Sequence, residues 1–234
     1  MIAPADLQAY VLGLMPLLAP TVRILGKVEF GAECEVQDFV VLGSRSREVG
    51  PEDLVLRMGS GAVIRTHSVL YWGSRIGDRF QTGHGTLIRE CNVIGDDVSV
   101  GSHTVIEHRS RIGHGVRIHS GSFIPEYCIL EDGCWIGPRV AFTNVLHPLC
   151  PEAKKCIRGP RIGKGAKIGA GAVVLPHVVV GDMAVVGAGS VVVEDVPPRV
   201  VVGGNPARTL KGIDALSCPW DYIERPYPRI DPQS

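Results

Sequence analysis

Net charge, large rings and long apolar runs are all scarce in this chain of 234 residues. Basic and acidic residues both number 24, so no global field favours nucleic acid or an anionic membrane surface. No apolar stretch reaches the ~18 residues that a membrane-spanning helix needs. The run Val11-Leu12-Gly13-Leu14-Met15 has no basic flank, so no signal peptide is expected and the reading is cytoplasmic. Aromatic residues make up 6% of the chain, with five Phe against 29 Gly. That balance excludes a core built around rings and suits a thin one. Seven cysteines are an odd count, and several fall where small apolar filler is needed. A reduced compartment is the simpler reading than a disulfide framework.

What the chain does have is a period of six. Counting from Val22 passes through Val28, Cys34, Val40, Met58, Ile64, Leu70, Ile76, Ile88, Ile94, Val100, Ile106, Ile112, Ile118, Ile124, Leu130 and Ile136 to Phe142. Only Ser46, Glu52 and Thr82 break the apolar rule, and the count reads as one unbroken register. It resumes at Ile162, Ile168, Val174, Val180, Val186 and Val192. A helix repeats near 3.6 and a strand near 2, so six fits neither. It fits a short strand, a corner and a repeat, three sides closing one coil, with parallel strands stacked roughly 4.8 Å apart. The position four after the apolar residue repeatedly holds a small one, as in Ala62, Ser68, Ser74, Thr86, Ser110, Ser122, Cys128, Cys134, Ala166 and Ala172. Glycine often follows the apolar residue directly (Gly77, Gly95, Gly101, Gly113, Gly137, Gly163, Gly169), as tight corners favour.

The expected fold is all-β: a parallel β-helix with an N-terminal cap, an excursion loop and a C-terminal tail. Residues 1–21 read as the cap, with a short helix from Ala5 to Leu18 between Pro4 and Pro20. Residues 22–205 read as the coil. Residues 206–234 read as a short helix followed by an extended strap carrying Trp220, Tyr222 and Tyr227. Two segments lose the pattern, at 45–57 and 145–161, and long excursions from a rigid scaffold are where specificity resides.

A coil of three six-residue sides stacks residues eighteen apart, which turns the search for chemistry into arithmetic. Glu90, His108, Glu126 and Asn144 form one outward column at a corner. An imidazole between two carboxylates is held in one tautomer and suits proton acceptance. The amide can orient a substrate, and the column ends where the 145–161 loop departs. Asp78, Asp96, His114 and Asp132 form a second column that reads as turn chemistry. His84, Ser102, Ser120 and Pro138 form a third.

The repeat resembles that of the hexapeptide acyltransferases, whose left-handed β-helix supplies the expected handedness; general crossover rules favour the opposite hand. From Ile64-Arg65-Thr66-His67 to Phe142-Thr143-Asn144 the chain is similar to the nucleotide-linked amino-sugar N-acetyltransferases. The shared runs are Phe80-Gln81-Thr82-Gly83-His84, Ile118-His119-Ser120, Ile124-Pro125-Glu126, Trp135-Ile136-Gly137-Pro138 and Phe142-Thr143-Asn144. The resemblance implies a homotrimer with active sites between neighbouring coils, acting in surface-polysaccharide synthesis on a dTDP- or UDP-linked amino sugar. It places His108, Glu126 and Asn144 in catalysis, with Glu90, His84, Glu126 and Asn144 against the sugar. Val202-Gly203-Gly204-Asn205-Pro206-Ala207-Arg208 resembles the terminal signature of transferases that use acetyl-coenzyme A. Lys164, Lys167, Ala170, Gly187, Asn205, Arg208 and Lys211 are the residues this implies for the cofactor, with no resident metal and no nucleic acid or membrane partner.

Three departures keep other readings open. Val145-Leu146-His147-Pro148 is closer to the His-Pro of O-acetyltransferases, where His147 would be the base. His114 and His119 have the spacing of two zinc ligands in γ-type carbonic anhydrases, with Asp78 where the third belongs. His147, Cys150 and Cys156 are close enough in sequence to hold a structural zinc, although packing explains the cysteines as well.

Overall fold

A computed structural model describes residues 15–46 and 54–227. Three sheets of parallel strands, the first closed by one antiparallel strand, extend from Leu17 to Gly212 and form the sides of a triangular prism. Sheet A begins at Leu17–Leu18, sheet B at Arg23–Ile24 and sheet C at Val28–Phe30, and the chain visits them in that order on every turn. Most strands are two residues long, because only the apolar residue and its predecessor stay extended before the next corner. Partners such as Leu87 and Val105, or Val93 and Arg111, stand one coil apart. This is the expected β-helix, consistent with the left-handed form.

Ile64, Leu70, Ile88, Ile106, Ile124, Ile136 and Phe142 are fully buried along the axis, each side chain contributing ~1.5–3 kcal/mol relative to exposure. The small series is buried with them. Its hydroxyls bond to carbonyls of the next corner, Ser110 Oγ to Pro125 at 3.0 Å and Ser122 Oγ to Gly137 at 3.0 Å. Each hydroxyl is thereby satisfied inside a series that elsewhere holds buried Phe80, Val98, Val116 and Val140.

The corners differ from expectation in which residue turns. The left-handed conformation falls three positions after the apolar residue, at Asp97, His103, Arg109, Gly115, Gly121 and Tyr127, with φ between 55° and 71°. The glycine directly after the apolar residue has another task. A Cβ on Gly101 would lie 2.6 Å from the His119 carbonyl carbon of the next coil, and one on Gly77 2.7 Å from that of Gly95. Close approach of stacked backbones, rather than φ, selects glycine there.

The register is not unbroken. Val28 pairs with Leu56, a step of 28 residues, ten more than from Leu87 to Val105. Ten leaves a remainder of four on a period of six. Val22, Val28, Cys34 and Val40 therefore belong to the small-residue series, and Val36 and Leu42 precede Ile64 and Leu70 on the axis. Cys34, Val36, Val40 and Leu42 are all buried, so counting by six crosses the insertion without noticing it. The second insertion is fourteen residues, since Ile129 pairs with Arg161 across a step of 32. It contains one 3-10 turn, Ala153–Lys155.

The ends also differ. The cap helix expected from Ala5 lies outside the described residues as far as position 14, and its last two residues are strand, Leu17–Leu18, paired with Glu35–Val36. Among the described residues no α-helix follows Pro206. Val200–Gly204 and Ala207–Gly212 form an antiparallel hairpin, followed by a 3-10 turn at Ile213–Ala215 whose Ile213 is buried.

Candidate functional site

Both excursions leave from one edge of the prism, the corner between sheets B and C. The chain departs after the strand Val41–Ser44 and rejoins at Leu56–Met58, and departs again after Ala141–Phe142 and rejoins at Arg161–Ile162. Glu90, His108, Glu126 and Asn144 stand on this same corner between the two departures. Asn144 closes the column: its Nδ2 donates to Glu126 Oε2, and its carbonyl accepts the Arg158 amide at 3.0 Å, which ties down the returning loop.

His108 is mostly buried, with 15% of its side chain exposed. Its Nε2 lies 3.9 Å from Glu126 Oε1 and its Nδ1 4.0 Å from Glu107 Oε2. The ring of Tyr127 meets it edge-on at 6.0 Å. The imidazole does stand between two carboxylates, but they are Glu107 and Glu126, not Glu90 and Glu126. Glu90 does not point outward; it is fully buried and held by Arg89, Nε to Oε2 at 2.9 Å and Nη2 to Oε1 at 3.1 Å. Burial pushes the Glu90 carboxyl up, but bonds from Arg89, its own amide and Ser46 outweigh this and leave it below the usual carboxylate range. Arg89 also reaches Glu107 Oε2 with Nη1 at 3.3 Å and lies over the Tyr71 ring at 5.1 Å. Sequence reasoning missed Arg89 and Glu107. The signal was present, because the two are eighteen apart and so stack directly.

The second column is turn chemistry, as expected. Asp78 Oδ1 accepts the Ser60 amide, Asp96 Oδ1 that of Asp78, His114 Nδ1 that of Asp96 and Asp132 Oδ1 that of His114, at 2.7 to 3.0 Å. His84 lies at another corner, between sheets A and B, where Nδ1 bonds with Thr66 Oγ1 at 2.8 Å. It lines a trough on sheet A with Arg65, Gln81, Arg117 and His119. His119 packs against Trp135 with the ring centres 4.7 Å apart and the planes tilted by 57°, and burial, then the Arg117 charge, push its pKa down. His147 is exposed and lines a separate cavity with Cys150, Cys156 and His177. No three His, Cys, Asp or Glu side chains gather to hold a metal ion among the described residues.

Of the residues expected around the cofactor, Lys167 and Gly187 meet in one cavity of about 580 Å³ on the outer face of sheet A, with Trp135, Gly169, Val185 and Tyr227. Lys167 Nζ donates to the Gly165 carbonyl at 2.6 Å and sits 4.5 Å over Tyr227; burial lowers its pKa. Ala170 follows Gly169 at the corner between sheets A and B. Asn205 is in the turn of the terminal hairpin, and Arg208 and Lys211 are exposed on its second strand. Lys164 stands apart, at the corner between sheets C and A, 4.0 Å from Asp132.

Residues 93–126 and 159–193 match the family model described as bacterial transferase hexapeptide (six repeats). Over 81 residues the chain is 44% identical to 2,3,4,5-tetrahydropyridine-2,6-dicarboxylate N-acetyltransferase of Brevibacillus brevis, covering 35% of this chain and 32% of that protein. Over 100 residues it is 33% identical to galactoside O-acetyltransferase of Escherichia coli, covering 40% and 48%. The chain thus spans less than half the length of these relatives. A UDP-N-acetylglucosamine acyltransferase structure from Bacteroides fragilis superposes with a TM-score of 0.60 over 90% of this chain and 74% of that one, at 18% identity, a likeness of fold. The period of six, the stacked three-sided coil and the matched repeats identify the chain as a hexapeptide-repeat protein similar to the acyltransferases of that kind.

Proposed function

We propose that the protein is an acetyl-CoA-dependent N-acetyltransferase acting on the amino group of a nucleotide-linked amino sugar. The observation that carries this reading is the corner column. It sets a mostly buried imidazole between two carboxylates, adds an amide two coils above the ring and bonded to one of them, and lies between the only two long departures from the coil among the described residues. The acceptor amine gives its proton to His108 as it attacks the thioester carbonyl. Asn144, tied to Glu126, holds the sugar. Backbone amides stabilise the oxyanion, and the departing thiolate takes up the final proton.

The donor is assigned to the sheet A cavity with Lys167 and Gly187. Within one chain that cavity and the column face different directions, so the reading requires neighbouring copies to bring them together. An apolar row on the outside of sheet B supports a homotrimer: Val41, Val69, Leu87, Val105, Phe123, Ala141, Val173 and Val191, with Phe123 still 41% exposed. No helix among the described residues is long and apolar enough to cross a membrane.

The test is acetyl transfer to a panel of nucleotide-linked amino sugars, with His108→Asn and His147→Ala assayed separately. A loss of about tenfold or more in turnover with the first alone supports this reading. Loss with the second alone moves the base to the excursion and favours an oxygen acceptor. If neither matters, general-base catalysis by these side chains is wrong.

A further inference from the structure

His108 cannot act through either nitrogen at random. A neutral imidazole carries one proton, and the nitrogen without it is the base. Nδ1 is shut off from solvent and makes no hydrogen bond. Nε2 also makes no hydrogen bond but is not enclosed in this way, so it is the atom an incoming amine can reach. The proton must then reside on Nδ1, and something must hold it there.

We propose that Glu107, anchored from the coil beneath by Arg89, is the positioning residue that takes the Nδ1 proton of His108 and leaves Nε2 bare for the acceptor. This rests on the reading of His108 as the base. Glu107 Oε2 is the carboxylate oxygen nearest Nδ1, at 4.0 Å. It is not free to drift, because Arg89 Nη1 holds the same oxygen at 3.3 Å. Arg89 is fixed in turn by two bonds to the fully buried Glu90 and by the Tyr71 ring below its guanidinium. The result is a relay across two coils, Glu90 to Arg89 to Glu107 to His108, assembled because Arg89 and Glu107 are one coil apart. A contraction of about 1 Å brings Nδ1 and Oε2 to hydrogen-bond distance, a tightening that catalytic contacts commonly make on binding substrate.

Glu126 does not compete for the same role. One of its oxygens accepts from Asn144, and the other faces Nε2 at 3.9 Å, where it steadies the imidazolium once formed. The charged and titratable groups around the ring are Glu107 and Arg109 on its own coil, the Arg89–Glu90 pair below, and Glu126 and Tyr127 above.

Two variants separate charge from tautomer. Glu107→Gln keeps an acceptor oxygen but removes the charge that favours imidazolium. The tautomer is then retained, while the acidic limb of the kcat/KM profile moves to lower pH. Glu107→Leu removes both; kcat falls by about 10- to 100-fold with KM for acetyl-CoA unchanged. The tautomer is read directly on the free enzyme from histidine 15N shifts at alkaline pH, with His108 assigned by comparison with His108→Asn. The expected result is Nδ1–H in the native protein and its loss in Glu107→Leu. A native Nε2–H tautomer, or a Glu107→Leu protein with unchanged tautomer and pH profile, overturns the proposal. Should Glu107→Leu not fold, the pH limb of Glu107→Gln decides alone. A fully active His108→Asn refutes the base assignment instead, while the spectrum still reports on Glu107.

Discussion

Replacing Arg89 with Met leaves the Glu90 carboxylate at zero exposure without its two bonds from Arg89, with only its own amide and Ser46 still donating to it. Breaking a buried pair from one side costs about 3–5 kcal/mol, because a charge remains buried with no counterpart. For a chain of this size each kcal/mol shifts Tm by ~2–4 °C, so Arg89→Met is expected to melt about 6–20 °C lower at pH 7, followed by circular dichroism. Arg89→Met combined with Glu90→Leu removes both charges and is expected to recover most of that loss. The pH dependence has a defined sign. Burial raises the Glu90 carboxyl but Arg89 and the other donors hold it below its ordinary value. Its contribution is therefore complete above the unfolded value of about 4.3 and disappears as pH falls through the lower folded value. The gap between native protein and Arg89→Met must narrow in acid. A single variant melting within about 2 °C of native at pH 7, or a double variant no better than the single, would refute the claim that this pair is what keeps the corner polar and closed.

Further outcomes follow from the corners and the thiols. Gly101→Ala forces a Cβ to within 2.6 Å of the His119 carbonyl carbon and is expected to cost about 1–3 kcal/mol by overpacking in denaturant titration. Gly133→Ala meets no atom within 4 Å and costs only the left-handed backbone strain, ~1–2 kcal/mol; a larger loss there than at Gly101 would contradict the assignment of the two glycine positions. In alkylation at pH 7, Cys218 is expected to react fastest, since backbone amides of Trp220 and Tyr222 lower its pKa. Cys134, pushed up to about 12 by burial, and Cys34 and Cys128, raised by burial, stay unmodified until the protein unfolds. Mass spectrometry of modified peptides reads the order. Ile106→Ala, at the axis, is expected to cost about 2–5 kcal/mol.

Period and stacking were legible because the geometry of a coil is set by few rules. Eighteen-residue spacing identified His108, Glu126 and Asn144 as neighbours, and the structure brings them together. It failed at Glu90, because spacing gives position along the column but not whether a side chain turns in or out. An adjacent Arg89 drew that carboxylate inward. The phase change near residue 45 escaped notice since the insertion of ten moved one buried series into line with another, and valine suits both. The short helix expected after Pro206 is instead the strand Ala207–Gly212, because residues 200–204 offer it a paired edge that local sequence does not reveal.

The claim on which the rest depends is that acetyl transfer occurs at the corner holding His108. It is tested most directly by mass-spectrometric assay of acetyl-CoA with the panel of nucleotide-linked amino sugars, comparing native protein and His108→Asn. The expected result is an N-acetylated sugar from the native protein and at least about a tenfold slower turnover from the variant. Equal turnover by both, or a product acetylated only on oxygen, would contradict it.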